Sequence, residues 1–384
     1  MSAGTGSREP DVDLVIAVHS AERRVEDAVG SVLRGTRGDV RVTVVCHGLP
    51  AGDIAARLGA LADDARVRLV RHDDGVRSPA GPFNAGLALA TGTFTSVMGS
   101  DDTLEPGAVD SWLALAARFR ADVVVARLRH ASGAGVPTPP VRPTRRGPLD
   151  GVRDRLSYRS APLGLVRRER FGGLRFTEGL AVGEDIPYVT RLWFSGARVL
   201  LDRRGPAYLI GAEATDRVTL APRPVADELA YVPALLDDPW FAARSTDERL
   251  ALVVKLLRVQ VFGAVAGRPD PMWWTTAERA DLARLTGDLV RAAPEVRRVL
   301  SRADGTLLDA IMDPASLPGA LLEASAARRR FGRPATLLPA ALAAVLHREA
   351  PMRWAAASWL VARQQTAQPT GDADAALVAG SAGR

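Results

Sequence analysis

The sequence predicts an α/β domain with a mixed, mostly parallel β-sheet flanked by helices, followed by an all-helical C-terminal domain. Three observations lead to this fold class. Short β-branched runs alternate with amphipathic helical stretches in the first third of the chain, the pattern of a sheet covered on both faces. From about residue 225 the strand patterns stop, and apolar residues recur at helical spacing. The 384 residues are 47% hydrophobic and 24% charged, as expected of a folded globular protein.

Five short runs rich in β-branched residues are predicted as buried strands. They cover residues 14–18, 40–45, 67–70, 94–98 and 123–126. Helical patterns lie between them at about 22–34, 51–62, 83–91 and 106–120, with Pro106 suited to a first helical turn. Two further strands are predicted near 198–201 and 207–210.

The C-terminal part carries apolar residues three and four positions apart, which predicts helices at 250–265, 277–290, 307–312 and 317–326. The segment 337–363 is also amphipathic. Core packing is its first interpretation, and acceptor binding, oligomerisation or contact with a membrane surface is the second. The predicted organisation is a disordered tail at 1–11, the α/β domain at 12–222, the helical domain at 223–365 and a disordered tail at 366–384.

Composition excludes several kinds of site. Cys46 is the only cysteine, so disulfide bonds within the chain and cysteine-based zinc sites are excluded. No apolar run reaches the roughly 18 residues that a membrane span requires, and the first residues do not resemble a signal peptide. We therefore expect a cytoplasmic protein without a transmembrane segment, and association with the cytoplasmic face of a membrane stays open.

The formal net charge is +6, and Lys255 is the only lysine among 50 basic residues. The arginines are scattered and often stand beside acidic residues, which is typical of a solvated surface. We therefore expect no nucleic-acid partner, although a nucleic-acid-binding protein remains a third alternative for the function.

Asp101 and Asp102 directly follow the strand predicted at 94–98. Ligands bind to open α/β sheets beyond the carboxyl ends of the strands. Adjacent carboxylates there are costly unless they are solvated or paired with a cation, and such oxygens suit Mg²⁺ or Mn²⁺. The alternative is a helix N-cap, with Asp102 or Thr103 capping a helix that begins near Glu105. The pair alone does not decide between the two.

Four segments resemble, in order, the motifs of the family 2 glycosyltransferases, which have the GT-A fold. The turn after the first strand, residues 17–22, is similar to the family's opening motif, and residues 83–92 are similar to its glycine-containing helix. Gly99 to Asp102 stand where the family has its metal-binding "DxDD" segment. Gly183-Glu184-Asp185 matches the "GED" motif. The resemblance covers about residues 12–220.

The resemblance implies transfer of a sugar from a nucleotide-diphosphate sugar to an acceptor hydroxyl, with inversion at the anomeric carbon. It implies that Asp102 binds a divalent cation, Mn²⁺ or Mg²⁺, and that Asp101 shares this ion or contacts the ribose. Asp185 would be the catalytic base, and Glu184 would orient the acceptor. The alternative for both acids is an ordinary place in the first turn of a helix.

Contacts with the donor, which we expect to be a UDP-sugar, are also implied. The implied residues are His19, Glu22, Cys46, His47, Asn84, Asp101 and Arg217. Cys46 stands where the family commonly has a base-contacting aspartate, and Gly99 replaces the first aspartate of "DxDD". Either the donor is unusual or the base contact has moved, to His47 or Asp74.

The "QxxRW" motif and the membrane helices of processive family members are missing, so single transfers are expected. The acceptor would be a glycan, a polymer or a small molecule, and a homo-oligomer stays open. The alternative function is a non-catalytic protein of the same fold that binds a nucleotide-sugar or a glycan.

Overall fold

A computed structural model describes residues 9–133, 136, 141, 142, 145, 147–211 and 223–366. Its strands form a seven-stranded sheet and a three-stranded sheet. In chain order the strands are β1 Val12–Val18, β2 Val40–His47, β3 Val67–His72, β4 Phe94–Gly99, β5 Thr103–Leu104, β6 Val123–Val125, β7 Leu128–His130, β8 Gly164–Arg167, β9 Val199–Leu201 and β10 Tyr208–Ile210.

The large sheet has the strand order β3-β2-β1-β4-β8-β6-β9. β1, β2, β3 and β4 pair in parallel, and β9 pairs in parallel with β6. β8 is antiparallel to both β4 and β6. The prediction of a mixed, mostly parallel sheet is therefore confirmed. The small sheet has the order β5-β10-β7.

All seven predicted strands are present, but the sequence did not predict β5, β7 and β8. β5 and β7 contain two and three residues, too short for an alternating pattern to be visible. β8 contains four residues and is followed directly by Arg168, so its carboxyl end lacks the turn residues that mark the end of a strand.

Helices cover both faces of the large sheet. Six α-helices lie in the described part of residues 9–211: α1 Val25–Gly35, α2 Ala51–Leu58, α3 Ala80–Ala88, α4 Ala108–Phe119, α5 Arg168–Phe171 and α6 Asp185–Trp193. Alternate side chains of β1 point to opposite faces, so Leu14 and Ile16 pack in a cluster with α1, α2 and α4. Val15 packs in a second cluster, with α3 and α6.

Several predicted helices have shifted ends, among them α3 and α4. The helix predicted at 83–91 is α3, which begins three residues earlier, at Ala80. The helix predicted at 106–120 is α4, which begins at Ala108, so Pro106 precedes it and does not lie in its first turn. The cause is Gly107, whose φ of +85° is a left-handed conformation that a helix cannot contain.

The C-terminal part of the described chain is helical. Its helices are α7 Val225–Glu228, α8 Tyr231–Asp237, α9 Pro239–Ala242, α10 Thr246–Lys255, α11 Phe262–Ala266, α12 Thr276–Ala292, α13 Val296–Val299, α14 Arg302–Met312, α15 Pro318–Arg328, α16 Pro334–Leu337 and α17 Pro351–Thr366. A π-helical turn, Leu256–Val261, joins α10 to α11. In the described part of the chain no helix is both long and apolar enough to cross a membrane.

The amphipathic segment predicted at 337–363 is not one helix. α16 ends at Leu337, a short 3₁₀ turn follows at Leu342–Ala344, and α17 begins at Pro351. Proline explains the new start, because its ring fixes φ and it lacks the amide hydrogen that a helix interior needs.

The second hydrophobic cluster continues from the sheet into the C-terminal helices. It joins Val97 of β4 and Ile186 of α6 to Leu252 of α10 and Leu308 of α14. The predicted boundary between 222 and 223 borders a stretch, 212–222, that lies outside the described residues, as do most of the two predicted tails. The division into two domains therefore stays a prediction, while the shared core is an observation.

Candidate active site

Two of the resemblance motifs and the end of β2 lie at one edge of the large sheet. β1, β2, β3 and β4 are parallel, so their carboxyl ends lie at the same edge, where ligands bind in open α/β sheets. His19 follows β1, His47 is the last residue of β2, and Asp101 follows β4. The strands thus bring together side chains that are up to 82 positions apart in the sequence.

Asp102 is held by two hydrogen-bond donors from the chain around β10. Its Oδ2 accepts from the hydroxyl of Tyr208 at 2.5 Å, and its Oδ1 accepts from the backbone amide of Gly211 at 2.9 Å. α4 begins six residues later and is preceded by Gly107 at its N-cap. The alternative role of Asp102 or Thr103 as a helix N-cap is therefore wrong.

Tyr208 is the link between the small sheet and the acidic segment. Its side chain is fully buried, and its hydroxyl also accepts a hydrogen bond from the backbone amide of Gly99 at 3.2 Å. Burial raises the pKa of this phenol far above its usual value, and the nearby charge of Asp102 raises it further. The hydroxyl therefore stays protonated and donates to the Asp102 carboxylate.

Asp101 forms an ion pair with Arg23, whose Nη1 lies 2.9 Å from Oδ2. Arg23 belongs to the turn between β1 and α1, next to the matched motif at 17–22. The pair therefore joins the first motif to the third, and it partly neutralises the acidic segment without a ligand.

Gly99 explains why the segment departs from "DxDD". A Cβ atom at this position would lie 2.6 Å from Oδ2 of Asp102 and 3.2 Å from Oδ1 of Asp101. A side chain here would displace the carboxylate that Tyr208 holds. Glycine at position 99, in place of the family's aspartate, therefore leaves the space that the Asp102 carboxylate occupies.

The carboxylate ligands at this edge suit a divalent cation such as Mg²⁺, which binds few protein ligands. Such an ion is usually held by one or two carboxylates together with water and substrate phosphates. Asp101 and Asp102 supply two carboxylates, each with lone pairs beyond those used by Arg23, Tyr208 and Gly211. In the described part of the chain, no group of three or more histidine, cysteine or acidic side chains could bind a metal alone.

His47, His72 and Asp74 form a hydrogen-bonded cluster beyond β2 and β3. Nε2 of His47 lies 2.8 Å from Oδ1 of Asp74, and Nε2 of His72 lies 3.2 Å from Oδ2. Burial alone would raise the pKa of Asp74. Hydrogen bonds from the Val76 amide and the two imidazoles outweigh it and lower this pKa to about 2. The Asp74 carboxylate is therefore ionised at neutral pH.

The predicted contact of Cys46 with the nucleotide does not agree with the structure. The side chain of Cys46 is fully buried in the cluster beneath α1 and α2, and burial raises the pKa of its thiol. It behaves as a small apolar residue. The neighbouring His47 carries the polar group at the end of β2.

Two predicted donor contacts, His19 and Glu22, are exposed at the sheet edge, in the turn between β1 and α1. Their exposure leaves both side chains accessible to a ligand. A third, Arg217, lies outside the described residues.

Asn84 has a different role from the predicted contact with the donor. Its side-chain amide donates to the carbonyl of Phe176 at 3.0 Å and to Oε1 of Glu178 at 2.8 Å. Its carbonyl oxygen accepts from the amide of Phe176 at 2.9 Å. Asn84 is buried and thus ties α3 to the loop that leads to α6. The Phe176 ring in turn stacks on Tyr188 of α6, with ring centres 4.4 Å apart.

Glu184 and Asp185 lie at the start of α6, as predicted, and both are half-buried. Burial raises the pKa of both carboxyl groups, and the charge of Asp185 raises that of Glu184 further. For Asp185, the charge of Lys255 and the backbone amides of Asp185 and Ile186 act in the opposite direction. Coupled acids with raised pKa values are typical of sites that transfer protons.

The C-terminal helices complete the surroundings of this acidic pair. Gly183 has a φ of +78°, and a Cβ atom on it would lie 2.5 Å from the ring of Tyr231 in α8. The motif therefore needs glycine both for its backbone conformation and for the close packing of this ring.

Sequence reasoning missed several residues of the site. They are Arg23, His72, Tyr208, Gly211, Tyr231 and Lys255. Most of them act on motif residues that are distant in the sequence, so no local pattern marks them. One signal was available, since Lys255 is the single lysine of an arginine-rich chain and lies in an apolar helical pattern.

The family comparison matches residues 13–172 to the model described as "Glycosyl transferase family 2". Over 99 residues the chain is 36% identical to the succinoglycan biosynthesis protein ExoO of Rhizobium meliloti (strain 1021), covering 25% of this chain and 27% of that protein. Over 95 residues it is 30% identical to the uncharacterized glycosyltransferase EpsJ of Bacillus subtilis (strain 168), covering 24% and 26%. The chain thus matches about a quarter of the length of these relatives.

Among solved structures, the chain is similar to residues 1–349 of S. aureus TarS in complex with UDP-GlcNAc. The TM-score is 0.68 at 16% identity, and the match covers 83% of this chain and 92% of that chain. The same TarS fragment in complex with UDP gives a TM-score of 0.64 and covers 84% and 93%. At such identity the similarity concerns the fold, and it extends over the sheet and the C-terminal helices.

Proposed function

We propose that the protein transfers a sugar from a nucleotide-diphosphate sugar to an acceptor hydroxyl, because residues 13–172 match the model described as "Glycosyl transferase family 2". The GT-A fold, shared with TarS, supports this proposal. We propose further that the reaction inverts the anomeric carbon, depends on a divalent cation and proceeds by single transfers.

The observation that carries the proposal is the acidic pair at the start of α6. A general base works best when its pKa lies near the pH at which it operates, and burial raises that of Asp185. In the proposed reaction the Asp185 carboxylate accepts the proton of the acceptor hydroxyl. The hydroxyl oxygen bonds to the anomeric carbon as the bond from that carbon to the diphosphate oxygen breaks. Glu184 would orient the acceptor.

Asp102 and Asp101 would hold the cation, Mn²⁺ or Mg²⁺, at the sheet edge. When bound, such an ion neutralises the charge that develops on the leaving diphosphate. Tyr208 and Gly211 fix the Asp102 carboxylate beforehand, so little ordering is left for the binding step.

The donor we propose is a UDP-sugar, since the similar TarS structure contains UDP-GlcNAc. The nucleotide base would be recognised by the cluster of His47, His72 and Asp74. This cluster would take over the role of the family's usual aspartate, whose position is occupied by Cys46. The pre-ordered hydrogen bonds of this cluster support the proposal, because they aim polar groups at the carboxyl ends of β2 and β3.

The acceptor we propose is a glycan, a polymer or a small molecule with a free hydroxyl, with a polysaccharide favoured by the name of the relative ExoO. A cytoplasmic location, contact with a membrane surface and a homo-oligomer remain part of the proposal.

The net charge of the chain gives no support to nucleic-acid binding. Many of the arginines bind carboxylates, as Arg41 does with Asp13 at 2.6 Å and Arg142 with Asp154 at 2.7 Å.

A thermal-shift panel with UDP-, GDP- and dTDP-sugars, each with Mn²⁺ or with EDTA, tests the donor and the cation. A ligand that binds the folded state raises Tm by mass action. We expect UDP-sugars with Mn²⁺ to give the largest rise, and Asp102→Ala to lose it. An equal rise in EDTA would contradict the metal assignment.

Turnover separates the enzyme from the non-catalytic alternative. We expect the purified protein to release UDP from the donor selected by the panel when Mn²⁺ is present. Saturable donor binding without hydrolysis, and without transfer to any of a set of glycan acceptors, would favour the non-catalytic protein.

A further inference from the structure

α17 presents an apolar face to solvent. Its exposed apolar residues recur three and four positions apart, so they form one stripe along the helix: Met352, Ala355, Ala356, Trp359 and Leu360. The three large side chains of this stripe are 44% to 54% exposed. A helix on the surface of a soluble protein normally turns its polar residues outward. The apolar stripe is the reverse of that arrangement.

The opposite face of α17 is anchored to the rest of the molecule. The ring of Trp354 contacts the ring of Tyr158, and their centres lie 4.2 Å apart. The guanidinium groups of Arg155 and Arg258 lie 5.3 and 5.9 Å from the centre of the same indole ring. Val361, about two turns later, is buried as well. The apolar stripe is therefore held outward by a helix whose other side is already packed.

Further exposed apolar side chains precede α17. Leu342, Leu346 and Phe331 are each at least 60% exposed. Phe331 lies shortly before α16, which packs against α17. Of the eleven large apolar side chains exposed in the described part of the chain, six lie between positions 331 and 360. Exposed apolar side chains that gather in one region mark a surface that contacts a partner.

The charge of the same region has one sign. Residues 324–366 contain seven arginines and one acid, Glu349, so they carry a formal charge of +6. The whole chain also carries +6, so the rest of the chain is neutral. Glu349 is buried and lies 3.5 Å from Arg258, which removes its charge from the surface. The exposed apolar side chains therefore lie in a region that is basic throughout.

We propose that this surface, the apolar stripe with the arginines of residues 324–366, docks the protein onto an anionic lipid bilayer. A helix that lies in a membrane interface buries its apolar side at the boundary between head groups and acyl chains. Basic side chains beside it attract anionic head groups. Tryptophan is enriched at this boundary, and the guanidinium of Arg363 lies 3.9 Å from the centre of the Trp359 ring.

Other partners fit this surface less well. A second copy in a twofold dimer would present the same patch, so arginines would face arginines. A nucleic acid would attract the arginines but would leave the apolar stripe uncovered. An anionic bilayer matches both the charge and the apolar side chains. The inference rests on the proposed function only for its membrane contact, because binding to lipid requires no sugar transfer.

Flotation of the full chain with lipid vesicles tests the docking. Vesicles of phosphatidylcholine with about a third phosphatidylglycerol are compared with vesicles of phosphatidylcholine alone. We expect the partition coefficient to be about tenfold higher for the anionic vesicles. It should fall when the salt concentration is raised from about 0.1 M to about 0.5 M, because salt screens the attraction. No binding, or equal binding to both kinds of vesicle, would overturn the inference.

Two variants remove the two parts of the surface, which are exposed side chains: Trp359→Ser/Leu360→Ser and Arg329→Gln/Arg330→Gln/Arg333→Gln. Each should lower the partition coefficient on anionic vesicles about tenfold, and the arginine variant should also lose most of the salt dependence. Leu89→Ser/Met272→Ser is the matched control, because it removes two exposed apolar side chains outside residues 324–366. The control should bind as the wild type does. An equal loss in the control would show that the binding is not specific to this surface.

These measurements separate the docking from the proposed reaction. A wild type that transfers sugar to an acceptor but does not float with anionic vesicles would overturn the docking and leave the reaction standing. A wild type that floats but transfers no sugar would support the docking while the reaction fails. Light scattering without lipid tests a second copy as the partner. A dimer that Trp359→Ser/Leu360→Ser dissociates would overturn the inference.

Discussion

The surroundings of Asp185 both raise and restrain the proton affinity of its carboxyl group. Burial raises its pKa, whereas Lys255 and two backbone amides lower it. The motif Gly183-Glu184-Asp185 shows the position of this acid in the sequence. The effect of Lys255 on the pKa of Asp185 cannot be seen in the motif, because 70 positions separate the two residues.

Asp185→Asn should lower turnover by about 10²- to 10⁴-fold, the usual contribution of a positioned base. The donor Kd should change little, because the proton leaves the acceptor and not the donor. Steady-state kinetics with calorimetric donor binding measures both. Asp102→Ala is the matched comparison, since it should lose donor binding and turnover together. Transfer by Asp185→Asn at the wild-type rate would mean that another group is the base.

The acidic pair should make the unliganded protein less stable as the pH rises. Both folded-state pKa values lie above those of the unfolded chain, so the folded state binds the protons more tightly. This contribution is complete below about pH 4 and is lost as the pH rises through the folded-state values. Lys255, with its pKa lowered to about 8, and Asp74, lowered to about 2, titrate outside this window.

Denaturant unfolding between pH 4 and pH 7 measures this effect. The free energy of unfolding of the wild type should fall relative to that of Glu184→Gln/Asp185→Asn, by on the order of 2 kcal/mol. Parallel curves for the two proteins over this range would show that the acids titrate normally.

The elements that carry the site were predictable in part. Parallel strands with valine-rich runs follow from local patterns, and the structure confirms them. β5, β7 and β8 were missed, because strands of two to four residues are decided by contacts with distant strands. Tyr208 therefore could not be assigned to Asp102 from the sequence, since β10 places it there only after folding.

The loop before α6 gives a test at the level of elements. Gly183 and Gly179 both have positive φ, +78° and +77°, but only Gly183 faces the Tyr231 ring, and Gly179 has open space. Gly183→Ala should destabilise the protein by about 1–3 kcal/mol more than Gly179→Ala, because it adds a clash to the same backbone strain. Denaturant unfolding of the two variants measures the difference. Equal losses would mean that Tyr231 does not hold the loop.

At the scale of the whole molecule, the two predicted domains share one apolar core. The cluster that contains Val97 and Ile186 also contains Leu252 and Leu308, so the sheet region cannot bury α6 without the C-terminal helices. The sequence indicated where strands give way to helices. The sequence did not indicate that the two regions share a core. Apolar periodicity shows which face of a helix or strand is buried, but it does not show which other element covers that face.

A chain shortened to residues 1–222 should therefore not fold to a stable sheet domain. It would expose the buried faces of Ile186, Val189 and Leu192, and exposure costs about 1.5–3 kcal/mol for each such side chain. The full chain should unfold in one transition, with equal calorimetric and van't Hoff enthalpies. Two separate calorimetric peaks, or a cooperatively folded 1–222 fragment, would show independent domains.

The two apolar clusters also differ in when they can be completed during synthesis. The cluster beneath α1, α2 and α4 contains residues from Val12 to Tyr208, whereas the other needs residues as late as Ala324. Since chains emerge from the ribosome N-terminus first, one face of the sheet can close over its core while the other still lacks its helices. The end of the sheet that carries Asp102 is thus finished early. The surroundings of Asp185 are completed last, so the proposed base acquires its folded environment only after the C-terminal helices have been synthesised.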